Sequence, residues 1–203
     1  MNKEELEAYW TNRYKEQNTG WDVGYPTTPI KEYIDQLNNK DLKILIPGAG
    51  NAYEAEYLFQ HGYKNTKVLD ISELPLQALQ ERCPTFPKDQ LIQGNFFNHS
   101  NNQIGQYDLI IEQTFFCSFE PTAVNRKSYA EQMSKLLKPS GQLVGLWFDH
   151  PLVADGKRPF GGTKEEYLGY LSPYFETHIF ERCYNSIKPR AGKELFGVFI
   201  RKG

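Results

Sequence analysis

Apolar residues recur on two different periods along this chain, and the alternation between them is the first structural signal. From Glu4 to Lys15 the residues Leu6, Tyr9, Trp10 and Arg13 with Tyr14 fall at three-and-four spacing, which predicts a helix with one mixed aromatic face. The stretch from Asn18 to Pro26 (NTGWDVGYP) breaks that period. A second helix is predicted to start at Thr28, a capping threonine followed by Pro29 at the first helical position, and to carry Ile30, Tyr33, Ile34 and Leu37. Short apolar runs then alternate with helical patterns. Leu42 to Ile46, Lys67 to Ile71, Leu91 to Gln93, Tyr107 to Ile111 and Gln142 to Phe148 predict five strands. Between them, Ala52 to Gln60, a segment capped by Ser72, and Asn125 to Leu137 predict helices, the last ended by Lys138, Pro139 and Gly141. Such alternation implies a parallel sheet with right-handed crossovers, a doubly wound α/β domain.

The tail leaves that rhythm. The Gly- and Pro-rich stretch His150 to Gly162 predicts a loop, Thr163 caps a helix through Tyr167 and Leu171, and two aromatic-rich strands follow at Phe175 to Tyr184 and Leu195 to Arg201. Two consecutive strands predict a closing hairpin and an antiparallel edge on a sheet of seven.

Length and composition narrow the class. The 203 residues suffice for one well-buried domain, with 39% hydrophobic, 14% aromatic and 24% charged residues. A net charge of −2 without long basic runs disfavours a nucleic-acid partner. Cys83, Cys117 and Cys183 are too far apart for a CxxC metal site and odd in number, so neither a metal nor a disulfide framework is expected. The polar N-terminus and the lack of any long apolar window predict a cytoplasmic protein with no membrane partner.

The chemistry concentrates after the first strand. Ile46-Pro47-Gly48-Ala49-Gly50-Asn51 leads into a helix, and glycines there let the chain turn tightly and let a ligand approach the main chain. Asp70 ends the second strand, twenty residues after Gly50, where an acid faces the ribose hydroxyls of a nucleotide. A dinucleotide site would place a third glycine where this chain has Tyr53, which argues against an NAD-dependent oxidoreductase, and a Walker lysine is missing. The shorter PGAGN turn is similar to the first motif of S-adenosylmethionine-dependent methyltransferases, where a nucleoside with no phosphates is held.

With these residues in hand, the chain resembles the thiopurine S-methyltransferase family, in particular its halide and thiol methyltransferase branch. The matching segments are WDVGYPTTP from Trp21, LIPGAGNAYEAEYL from Leu45, VLDIS from Val68, GNFF from Gly94, YDLIIEQTFFCSFEP from Tyr107 and LLKPSGQLV from Leu136, with a weaker echo in SIKPRAGKE from Ser186. The resemblance implies a Rossmann-like class I methyltransferase using S-adenosyl-L-methionine, with residues 1–40 as an N-terminal helical lid and 41–203 as the core. It places Trp10, Tyr14 and Trp21 in the lid over the cofactor, Gly48 and Gly50 at its amino-acid end, Asp70 on the ribose and Asn95 with Phe96 at the adenine. Gln113 falls where plant relatives tend to have a tyrosine. A non-catalytic S-adenosylmethionine-binding module is the alternative reading.

Methyl transfer from a sulfonium needs alignment more than acid–base machinery. A soft thiol, thiopurine, sulfide or halide acceptor gains reactivity on losing water. The chain shows no Ser-His-Asp triad or carboxylate pair, and none of its residues is assigned a catalytic role. His61, His99, His150 and His178 are expected on surfaces or loops, and Cys117 as a packed thiol. Phe116 and Phe160 are expected as apolar walls of an acceptor pocket closed by the 150–162 loop, and Arg190 as the partner of an anionic acceptor. The expected working form is a monomer acting on a small molecule.

Overall fold

Seven strands in the order β3-β2-β1-β4-β5-β7-β6 form the backbone of the computed structural model, which describes residues 3–102, 104–151 and 156–203. They are β1 (Ile44–Pro47), β2 (Thr66–Asp70), β3 (Leu91–Gln93), β4 (Tyr107–Gln113), β5 (Leu137–Phe148), β6 (Phe175–Arg182) and β7 (Glu194–Arg201). The first five run parallel, and β7 lies antiparallel to both β5 and β6. All four residues of β1 are buried, as expected for a strand covered by helices on both faces. The helices are α1 (Lys3–Lys15), α2 (Thr28–Asp35), α3 (Tyr53–Gln60), α4 (Glu73–Arg82), α5 (Ala123–Leu136) and α6 (Lys164–Leu171).

The core has two parts, one on each face of the sheet. One packs Ile30, Ile34, Ala55, Leu58 and Leu79 over Ile44, Ile46 and Val68, and the other packs Tyr129, Met133, Trp147 and Phe199 around Leu45 and Ile110. The strand order reverses between β1 and β4. Such a switch point leaves a crevice beyond the carboxyl ends of the strands, and ligands bind there in open α/β sheets.

The expected closing hairpin is present at the sheet's edge, with β7 between β5 and β6 and β6 outermost, paired antiparallel with β7. One expectation is corrected. The strand expected from Gln142 begins at Leu137, directly after α5, because Ser140 takes φ 63° and the register shifts between Tyr107 and Leu109. Gly141 fits this bulge because a Cβ there would press on the carbonyls of Lys138 and Tyr107. Helix α2 contributes Ile30 and Ile34 to the core, whereas no residue of α1 is buried.

Candidate active site

The crevice begins with backbone geometry. Gly48 and Gly50 have φ of 57° and 55°, where a side chain is strained, and a Cβ on Gly48 would fall inside the Phe115 ring. The Gly50 N–H donates to Asp70 Oδ2 (3.0 Å) and the Ser72 N–H to Oδ1 (2.9 Å). Asp70 thus fastens the first strand-to-helix turn to the second, and each oxygen keeps a lone pair for a ligand hydroxyl. Burial pushes its carboxyl up to about 6, opposed by the Ser72 and Gly50 donors.

Three cavities meet here. The first, about 80 Å³, is bordered by Trp10, Tyr14, Trp21, Asp70, Asn95 and Phe96. Asn95 Oδ1 accepts from Phe97 N (2.9 Å), and Gln132 Nε2 donates to the Phe96 carbonyl (2.8 Å), so β3 delivers both residues on a braced turn. The second, about 40 Å³, lies across Gly48 and is bordered by Asp22, Gly50, Asn51, Glu54 and Gln113. The Thr27 hydroxyl donates to Gln113 Oε1 (2.6 Å) and the Thr27 N–H to Glu54 Oε1 (3.0 Å). The third, about 760 Å³, carries Arg13, Arg158, Arg190 and Lys193 with the faces of Trp10 and Phe148. Trp21 and Thr114 border all three.

The N-terminal segment carries an aromatic lattice. Trp21 meets Trp10 edge-on at 5.4 Å and Tyr14 at 5.7 Å between ring centroids. Desolvation, with Asp70 second, holds the Tyr14 hydroxyl well above its ordinary range, so it stays a neutral donor beside the acid. None of the residues of α1 is buried, and polar contacts hold the helix down: Thr11 to Ser72 Oγ (3.0 Å) and Gln93 to Glu7 (3.1 Å). From the other side, Arg190 donates to the Trp21 carbonyl (2.7 Å) and pairs with Glu194 at 3.5 Å.

The turn after β4 sorts its aromatics. Thr114 takes φ 55°, and buried Glu112 accepts from the N–H groups of Phe115 (2.8 Å) and Phe116 (3.1 Å). Phe115 and Phe119 consequently face the first cavity. Phe116 instead packs edge-on against Tyr129 and Tyr167 in the core, and Phe160 is buried with its N–H on the Cys117 carbonyl (2.9 Å). Neither Phe116 nor Phe160 lines any of the three cavities. Residues 152–155 of the expected 150–162 loop lie outside the described residues. Burial pushes the Cys117 thiol far up while its S–H donates to the Thr114 carbonyl, so it is a packed thiol on the cavity side. His150, expected merely on a loop, borders the third cavity.

Sequence reasoning missed Asp22, Glu54, Thr114, Phe148 and Arg158. Asp22 had a signal, being the neighbour of Trp21 in the matched segment. Arg158 had none, since its place depends on how the loop returns.

The family model described as Thiopurine S-methyltransferase (TPMT) matches residues 6–202. The chain belongs to the thiopurine S-methyltransferase family. It is a methyltransferase, and its cofactor is S-adenosyl-L-methionine. Among its relatives, a protein named probable thiol methyltransferase 2 of Arabidopsis thaliana is 30% identical over 93% of this chain and 82% of the relative. A thiopurine S-methyltransferase of Acinetobacter baylyi is 21% identical over 78% of this chain and 80% of its own length. In fold, the family member is similar to the 1,6-didemethyltoxoflavin-N1-methyltransferase of Burkholderia thailandensis, with a TM-score of 0.76, 15% identity, and coverage of 98% and 88% of the two chains. It is also similar to a TehB-like methyltransferase of Corynebacterium glutamicum, with a TM-score of 0.65, 15% identity, and coverage of 97% and 98%.

The residues present suit the cofactor. A buried carboxylate with free lone pairs answers ribose hydroxyls, glycines admit close approach, and Asp22 with Glu54 answer a cationic amino-acid end. Among the described residues no helix is long and apolar enough to cross a membrane.

Proposed function

We propose that this methyltransferase moves the methyl group of S-adenosylmethionine onto a small, soft, anionic nucleophile: a thiolate, thiopurine, sulfide or halide. The observation that carries this is the charge contrast across Trp21 and Thr114. The cavities on one side present Asp22, Glu54 and Asp70, while the third presents three arginines and a lysine without a carboxylate among its described lining residues. The names of the relatives, thiol, thiocyanate and thiopurine methyltransferases, support the same acceptor class.

When bound, the cofactor supplies an electrophilic methyl on a positively charged sulfur. The chain's part is to hold and align. Asp70 with Asn95 and Phe96 fixes the nucleoside, Asp22 and Glu54 fix the amino-acid end, and Trp10, Tyr14 and Trp21 exclude water and offer ring faces to the sulfonium. On the far side, Arg190 and Lys193 draw the anion toward the seam. So held, the acceptor's lone pair would lie in line with the methyl that the cofactor would supply, and the transfer would neutralise the acceptor's negative charge against the sulfonium's positive one. A nucleophile already ionised needs no base, so a lining without an acid–base pair is sufficient. The three cysteines, all free and buried, suit work in the reducing cytoplasm.

The test is a screen of iodide, hydrogen sulfide, aliphatic thiols, thiophenols and thiopurines with isotopically labelled cofactor, read by headspace analysis and mass spectrometry. Methylated sulfur or halide products are expected. Catechols or amines outpacing every thiol and halide would refute the acceptor class.

A further inference from the structure

Of the cations around the third cavity, two are fastened chiefly to the lid. Arg13 belongs to α1, donates to the Asn18 carbonyl (2.8 Å) and lies 5.3 Å from the Trp21 ring. Arg190 holds the Trp21 carbonyl. Arg158 is fastened differently. Its Nε donates to the Ser118 carbonyl (2.7 Å) and its terminal nitrogen to Glu120 (3.1 Å). Its guanidinium carbon also lies 5.1 Å from the Tyr9 ring, 5.7 Å from Trp10 and 5.2 Å from Phe160. One planar group therefore touches α1, the turn after β4 and the 156–162 segment at once.

Two of its partners stand at the seam. Trp10 and Ser118 each border both the nucleoside cavity and the acceptor cavity. A ring drawn onto a bound nucleoside must keep or lose its stacking on the guanidinium, and the same guanidinium sets where the Ser118 carbonyl sits. Because no residue of α1 is fully buried, such contacts decide whether it stays closed. With its charge committed to Glu120, Arg158 differs from Lys193 on the open rim, and its role is structural coupling more than attraction.

We infer that Arg158 is a positioning residue that couples the two halves of the active site, so that closing the lid on the cofactor orders the acceptor wall. This rests on the assignment of the first cavity to the nucleoside and the third to the acceptor. The coupling is reciprocal: an acceptor that holds the 156–162 segment in place favours the closed lid and tightens the cofactor. It needs arginine specifically, because only a planar fork can stack on two rings and donate along two directions, and a lysine keeps the charge alone.

Hydrogen exchange of the full-length chain with S-adenosylhomocysteine as the probe tests this. In the unaltered protein the probe should slow exchange at the end of β2 around Asp70, in α1, and at residues 116–120 and 156–162. In Arg158→Lys and Arg158→Met the protection around Asp70 should persist, while that at 156–162 falls to the ligand-free level and affinity for the probe drops three- to tenfold. Unchanged slow exchange in β1 and β4 without ligand establishes that the variants are folded. Equal protection at 156–162 in the variants and the unaltered protein would overturn the coupling. So would protection confined to Asp70 and α1 in the unaltered protein, leaving the cofactor assignment standing. No protection anywhere would overturn both.

Discussion

The two sides of the Trp21–Thr114 seam are built from different materials. On the cofactor side, acids stand on the ends of β2 and α3 and are tied to backbone N–H groups: Asp70 to Gly50 and Ser72, Glu54 to Thr27. On the acceptor side, Arg158, Arg190 and Lys193 come from connecting segments; Arg158 donates to the Ser118 carbonyl and to Glu120, and Arg190 to the Trp21 carbonyl. A chain of net charge −2 thus presents a local acid-to-base gradient along the expected line of transfer. Bulk charge would never have revealed it. In the proposed reading, the side built on strand and helix ends holds a ligand of constant chemistry, and the side built on connecting segments can change its acceptor without disturbing the sheet.

The comparison breaks most visibly if the lid is removed. Deleting residues 1–21 should reduce turnover to background, because Trp10 and Trp21 wall both sides and Tyr14 the cofactor side, yet circular dichroism should still report the intact sheet since no residue of α1 is buried. Retained turnover in the truncated chain would contradict the lid. Asp70→Ala comes next. Losing a buried charged acceptor costs about 2–3 kcal/mol, a weakening of S-adenosylhomocysteine binding on the order of 30- to 150-fold by calorimetry. An unchanged affinity would take Asp70 out of the site.

Arg190→Met sharpens the other side. It should raise KM for ionised acceptors about tenfold while changing un-ionised ones far less, a loss of about 1.4 kcal/mol that a merely structural arginine would not divide by charge.

The smallest effect is in pH. Burial raises Asp70 to about 6 and Glu112 to about 7, above their ordinary values, so the folded chain binds more protons than the unfolded one between roughly pH 4 and 7. These groups therefore add stability as pH falls through 7 and 6, with the gain complete below the ordinary carboxylate range. The ligand-free melting temperature should rise by a few degrees from pH 8 to pH 5.5 on this account, while cofactor affinity weakens below about pH 6 as Asp70 is protonated. A melting temperature that falls over that interval would show other groups to dominate.

How much of this was legible follows from what each signal depends on. The strand ends, the Gly48–Gly50 turn and Asp70 were readable because local backbone demands and a fixed spacing specify them. β3 was placed at its observed bounds from a run of three residues, Leu91–Gln93. That Phe116 and Phe160 lie away from the three cavities was not legible, because an aromatic in a turn has no period to show which way it faces. Thr114 in the left-handed region and the Glu112 brace put Phe115 and Phe119 on the cavity. Lys138, Pro139 and Gly141 read as a helix stop, since Pro and Gly signal breaks equally in a loop and in a bulged strand. The cationic wall was mostly invisible because Arg13, Arg158 and Arg190 are far apart in sequence and only the fold collects them.

The central claim is that the acceptor side selects negative charge. It is tested most directly by comparing kcat/KM for thiophenol, 4-mercaptobenzoate and a thiophenol bearing a para trimethylammonium group, each at a pH where its thiol is ionised. The account predicts the order carboxylate-bearing, unsubstituted, ammonium-bearing, with at least about tenfold between the extremes, corresponding to a charge interaction of about 1.4 kcal/mol in a partly exposed cavity. Equal rates across the series, or a preference for the ammonium-bearing thiol, would contradict it.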